Sequence, residues 1–164
     1  MGTWTNNDGL YIRFGTTEAT PTTAGEFPTM VYGQHTSEIR LTATSLTATA
    51  AIQSNSVVIP SGATIARIEV IAETACTSGG SATLNVGLSR LDRTTELDYD
   101  GLIAALALTS MDAAGETTAL TKVSTSAGAL LGTELANAGL LTADYDTAAF
   151  TAGVVLVRIF WYYN

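Results

Sequence analysis

A chain of 164 residues with 15 Asp and Glu against 7 Lys and Arg carries a net charge of −8, and its one lysine is Lys122. Nucleic-acid binders gain affinity by replacing phosphate counterions with Lys and Arg, so this balance excludes nucleic acid as the expected partner. The single Cys76 forms no internal disulfide, and a chain of this length buries roughly 70% of its unfolded surface without one.

Charged residues make up only 13% of the chain while hydrophobic ones reach 46%, so something other than ions must cover the surface. That role falls to threonine, about one residue in six, with Ser, Gly and Ala. Thr has the branched side chain that suits a pleated sheet. It is polar enough for water, yet a neighbouring protein covers it without stripping hydration from an ion. The N-terminus, Met1 to Asp8, lacks the basic and apolar regions of a signal peptide, and no apolar run approaches the ~18 residues that span a bilayer. The expectation is a soluble protein made in the cytosol, without a membrane partner. It forms one domain over 1–164, with 1–37 as an extended arm or loop region partly packed on it.

In chain order, Asn7 to Gly9 reads as a turn before a short strand at Leu10 to Phe14, and Thr16 to Gly25 as a polar loop. Glu38 to Thr44 alternates, Ile39 and Leu41 facing one way and Arg40 and Thr42 the other, the period of a half-buried strand. Val57-Val58-Ile59 is a β-branched run stopped by Pro60-Ser61-Gly62, a turn in which Pro presets φ and Gly permits its positive values. Ile65 to Ala72 is a strand, Thr77 to Ser81 a turn, and Ala82 to Arg90 a strand with Leu84, Val86 and Leu88 on one face. The Gly-Gly turn between these two strands predicts an antiparallel hairpin.

Leu102 to Leu108 has helical character: Leu102, Ile103 and Leu106 share a helical face, with Asp98 or Asp100 placed to cap the first turn. Beyond Gly115, apolar runs at Thr118 to Val123, Ala129 to Leu131 and Leu140 to Tyr145 are separated by Gly and Asn turns, and Val154 to Tyr163 is a long final strand. About eight short strands with regular turn signals predict an all-β fold. The expected architecture is a jelly-roll-like antiparallel β-sandwich with one short helix.

Few groups offer chemistry. His35 is the only histidine, and no Gly-x-Ser-x-Gly elbow accompanies it, so it reads as an exposed loop residue. Cys76 has no local cation to activate it and reads as a small apolar residue. Asp92, Glu96, Asp98 and Asp100 form the one dense acidic stretch. Carboxylates in a loop hold calcium, which makes Asp92, Asp98 and Asp100 metal candidates, and paired carboxylates cleave glycosides. The calcium-loop spacing is incomplete, however, and a capped turn with Arg90 and Arg93 as ion partners accounts for the stretch, so no catalytic residue, metal or cofactor is assigned. In the last strand Val155, Val157, Ile159 and Trp161 are expected to pack inward and Arg158, Phe160 and Tyr162 to face outward. Aromatic residues and Arg on a half-exposed strand suit an interface. Arg158, Phe160, Tyr162 and Tyr163, with Trp4 and Tyr11 near the N-terminus, are therefore the interface candidates.

Four segments carry a family resemblance: Trp4 to Thr16 (WTNNDGLYIRFGT), Ile59 to Ile65 (IPSGATI), Thr77 to Leu88 (TSGGSATLNVGL) and Phe150 to Val155 (FTAGVV). In these the chain resembles small virion proteins of tailed bacteriophages, particularly capsid decoration or cement proteins of marine and cyanobacterial phages. The resemblance implies a non-enzymatic jelly roll or related sandwich on the capsid exterior. It implies the major capsid protein as partner and a homo-oligomer, a trimer favoured. A head or tail fibre module, or a receptor-binding knob that grips a host glycan or protein, is the alternative.

Overall fold

The structure is a computed structural model and describes residues 2–5, 11–14, 34–53 and 56–163; the expected turn at Asn7 to Gly9 and loop at Thr16 to Gly25 lie outside them. The described strands are β1 (Gly2–Thr5), β2 (Tyr11–Phe14), β3 (His35–Thr42), β4 (Ala51–Ile52), β5 (Val58–Ile59), β6 (Ala63–Ser78), β7 (Thr83–Arg90), β8 (Glu96–Ala107), β9 (Thr117–Leu120), β10 (Gly139–Asp146) and β11 (Phe150–Tyr163). They belong to two compact units, Met1–Met30 and Val31–Asn164. In the first, β1 and β2 form an antiparallel ladder that pairs Trp4 with Ile12 and Thr5 with Tyr11.

The second unit holds two antiparallel sheets, ordered β3-β11-β6-β9 and β4-β10-β7-β8, with β5 also on β10. β4 and β5 meet successive stretches of β10, at Thr142 and Ala143 and then at Gly139 and Leu140, so together they act as one interrupted strand. Counted that way, eight strands pair from the outside in: β3 with β11, β4 and β5 with β10, β6 with β9, and β7 with β8. This is one long antiparallel hairpin rolled up, the topology of a jelly roll.

Alternation on each strand explains why the roll closes. Ile39 and Leu41 of β3, Ile68, Val70 and Ala72 of β6, Leu84, Val86 and Leu88 of β7, Leu141 and Ala143 of β10, and Val155, Val157 and Ile159 of β11 are all buried. These side chains form one continuous core between the sheets. Burying each large aliphatic side chain stabilises by about 1.5–3 kcal/mol, so this shared layer dominates the energetics.

The structure corrects two expectations. First, Leu102 to Leu108 does not form a helix: residues through Ala107 belong to β8, and only Leu108–Ser110 makes a 3-10 turn. Between the partners Val86–Ile103 and Leu84–Leu106 the ladder gains a residue on β8, and Ala105 sits there at φ 51°. This bulge turns Leu106 back toward the core three residues after Ile103, so the burial spacing mimics a helix although the backbone is extended. Second, β6 and β7 do not form a hairpin. Gly79 and Gly80 carry the chain from one sheet to the other, because β6 is already flanked by β11 and β9.

One side of the sandwich is sealed by the chain between β9 and β10. Ala104 N–H donates to Ser126 and Gly128 N–H to Leu102 along the outer edge of β8, while Gly132 and Leu135 donate to Ile65 and Ala63 at the start of β6. The same segment therefore covers the edges of both sheets.

Two glycines let β8 run this close. A Cβ on Gly87 would overlap the carbonyl oxygen of Asp98 and the backbone of Tyr99, and one on Gly128 would overlap Asp100 and Gly101. Gly87→Ala should therefore destabilise by at least the ~1–3 kcal/mol of an overpacked core in urea denaturation. Gly79→Ala, where nothing lies within 4 Å, should stay within about 0.5 kcal/mol of the parent. Equal effects would show that β8 does not lie across β7.

Candidate interaction surface

The outward face of the sheet β3-β11-β6-β9 gathers three of the expected interface residues, Arg158, Phe160 and Tyr162, because strand alternation places them opposite Val157, Ile159 and Trp161. Register then supplies their neighbours. Arg158 lies between Glu38 of β3 and Glu69 of β6. Its Nε donates to Glu38 Oε1 at 2.6 Å, and its Nη1 stands 3.6 Å from Glu69 Oε2. Glu69 also pairs with Arg67 at 3.2 Å, and farther along the face Arg40 donates to Glu73 at 2.5 Å.

Six charges thus alternate in sign across one sheet face. The flanking carboxylates, Glu38 first, hold the Arg158 guanidinium above its ordinary range, so it stays charged. Exposed ion pairs add little net stability, since each loses hydration and side-chain freedom nearly equal to what it gains. Their larger effect is to fix where each charge sits.

Phe160 faces outward as alternation requires, but it is buried rather than exposed. Arg67, its cross-strand partner on β6, lays its guanidinium over the ring with Cζ 4.0 Å from the centroid. Tyr162 is half-buried beside it. Glu38, Glu69, Glu73, Arg40 and Arg67 complete a surface of which the candidate list held only part. Their outward parity on alternating strands was the available signal; their pairing across the chain was not.

A second aromatic group sits at one end of the same sheet. The His35 ring stacks on Trp161 at 4.4 Å and 19°, and Tyr163 meets Trp161 edge-on at 5.5 Å. Trp161 Nε1 donates to Ser37 Oγ at 2.9 Å, which satisfies the indole as it enters the core. Tyr163 remains 41% exposed. His35 is the first residue of β3, not part of a loop, and its stacking gives it a structural task.

The acidic stretch separates into two environments. Asp92 accepts from the Thr94 and Thr95 N–H groups at 2.9 and 2.8 Å and from Thr95 Oγ1 at 2.6 Å, closing the turn between β7 and β8. These bonds, the Thr95 hydroxyl foremost, lower its carboxyl to about 2. Neither Arg90 nor Arg93 makes an ion pair among the described residues; Arg93 instead bends the turn at φ 66°. Asp98 and Asp100 lie on β8 itself, where burial foremost and then the neighbouring Asp100 raise the Asp98 carboxyl above its ordinary value. Among the described residues no three His, Cys, Asp or Glu side chains are grouped as a metal set would require. Cys76 is buried against Gly153, and desolvation pushes its thiol up, away from the reactive thiolate.

No protein-family model matches the sequence, and no curated protein matches it. Solved structures do share the fold. A chain of the capsid of Helicobacter pylori bacteriophage KHP30 is 13% identical, with 80% of this chain and 89% of that one covered at a TM-score of 0.52. A chain of the capsid asymmetric unit of cyanophage Pam1 is 18% identical, with 91% and 98% covered at a TM-score of 0.56. The rolled sandwich described above is thus a fold also used in phage capsids.

Proposed function

We propose that this chain is a structural subunit of a bacteriophage virion, a decoration protein that sits on the outer surface of the head and braces contacts between major capsid subunits. The observation that carries this reading is the shared rolled sandwich: nearly the whole of the Pam1 capsid chain is matched by nearly the whole of this one. The chemistry of the chain fits. Its net charge of −8 suits the exterior of a shell better than a face turned to packaged DNA, and a Thr-rich surface tolerates close packing.

The role is non-catalytic in this reading. Docking uses the outward face of β3-β11-β6-β9, where Arg158, Phe160 and Tyr162 lie within fixed charges of both signs. Such a face gives a partner register as well as contact. The N-terminal segment bearing Trp4 and Tyr11 serves as an arm toward a neighbouring subunit, and a homotrimer is the expected assembly. Stabilisation follows mass action, because a protein that binds only the intact shell raises the free energy of its disruption.

A receptor-binding knob is the second reading, favoured by the exposed Tyr163 ring beside His35 and Trp161, a flat aromatic surface of the kind that stacks on sugars. Glycan binding that is lost in Tyr163→Ser, with no binding to shells, would select it.

Adding the purified protein to shells that lack it should raise their disruption temperature in a saturable way; no binding at any concentration would overturn the decoration reading. The double variant Arg158→Ala, Tyr162→Ala should weaken shell binding about tenfold or more, the loss of a modest hot spot. Its melting temperature should stay within about 3 °C of the parent, since both side chains are solvent-accessible. Unchanged affinity would place docking on another face.

A further inference from the structure

Sheet edges expose backbone N–H and C=O groups that another strand can pair, and native proteins shorten, cover or charge them. Most edges of this sandwich are managed in that way. β9 is four residues long, and β4 and β5 are two each. The far edge of β8 bonds the segment 126–130, and on either side of β9 the edge of β6 bonds Met111, Glu116, Gly132 and Leu135. β3 differs. It runs for eight residues and pairs with β11 alone, and among the described residues no backbone group bonds its other side.

The usual defences are missing from this edge. His35 to Thr42 contains no Pro or Lys, and the ladder with β11 runs unbroken from Thr42 to His35, so no bulge turns the edge away. The two charges of β3 are drawn inward over the sheet. Glu38 accepts from Arg158 on β11, and Arg40 reaches past β11 to donate to Glu73 on β6. Ile39 and Leu41 are fully buried beneath, so an arriving strand meets backbone and the outward side chains.

The sequence of β3 complements itself. Glu38 and Arg40 flank Ile39, and Thr36 and Thr42 lie three residues to either side of it. Antiparallel pairing of two β3 strands centred on Ile39 sets Glu38 opposite Arg40 and Thr36 opposite Thr42 on the outward face, each pair occurring twice by symmetry. Opposite charges and Thr pairs both stabilise a ladder when directly opposed. Moving the centre by one residue would oppose Glu38 to Glu38 or Arg40 to Arg40, so charge selects the register.

We propose that the outer edge of β3 pairs with the same edge of a second copy of this chain across a twofold axis, joining two four-stranded sheets into one continuous sheet. The pairing does not rest on the docking role. It is also compatible with a threefold contact, since one assembly can combine twofold and threefold contacts on different surfaces. Its consequence is that two outward faces become a single surface of double width. Edge pairing alone buries less than the ~1,200 Å² of stable interfaces, so the contact is weak in dilute solution. It strengthens where copies are held close together.

The test is sedimentation of the full chain from about 1 µM to about 1 mM, the span in which a weak contact titrates. The mean mass should rise reversibly toward at least twice its dilute value. Glu38→Arg sets Arg against Arg40 at both symmetric positions, and Arg40→Glu sets Glu against Glu38, so either variant alone should associate about tenfold more weakly or worse. Mixed in equal amounts, the two variants restore opposite charges at both positions, and association should return to within about threefold of the parent. A mass that stays at one or three chains throughout overturns the proposal, as does a mixture that associates no better than its components. Should a variant fail to fold, amide hydrogen exchange of the parent decides instead. Protection gained at alternate residues of β3 as concentration rises supports the edge contact, and unchanged exchange in β3 overturns it.

Discussion

Strand β11 runs for 14 residues between β3 and β6, and both of its faces are committed at once. Inward, Val155, Val157, Ile159 and Trp161 supply one wall of the core. Outward, Arg158 reaches a carboxylate on each neighbouring strand. A slip of one residue in β11 would turn the apolar set to solvent and drive Arg158 into the core, so register here is strongly determined. The core supplies the free energy, and the ion pairs, weak individually, punish the wrong register.

The other sheet meets a different constraint. β8 cannot simply lie beside β7, because it must also cover part of β7's outward face and accept the segment 126–130 on its far edge. It does so through register irregularities, a positive φ at Ala105 and close passage over Gly87. Beside these departures, on β10, Thr142 Oγ1 and Asp144 Oδ1 are buried without a hydrogen-bond partner.

This division decides what was legible in the sequence. Ile39 and Leu41, Leu84 to Leu88 and Val155 to Trp161 read correctly because uninterrupted alternation has one meaning. Leu102 to Leu108 misled because a bulge shifts the phase of a strand and leaves apolar residues three apart, as a helix does. The Gly-Gly turn at Gly79 misled because the same residues serve a hairpin and a crossing between sheets. Parity placed Arg158, Phe160 and Tyr162 on one outward face, whereas Glu38 and Arg67, distant in sequence, became their neighbours only through strand pairing that no local pattern encodes. Asp92 was grouped with Asp98 and Asp100 by proximity along the chain, yet it closes a turn while they line β8.

The central claim is that this rolled sandwich is a shell component that docks through the face organised by β11. A cryo-electron microscopy map of phage particles containing the chain tests it most directly. The account predicts density for the two sheets on the outside of the head, with the β3-β11-β6-β9 face against a neighbouring subunit and Arg158 at the contact. A sandwich absent from the shell, or present with that face turned to solvent, would contradict it.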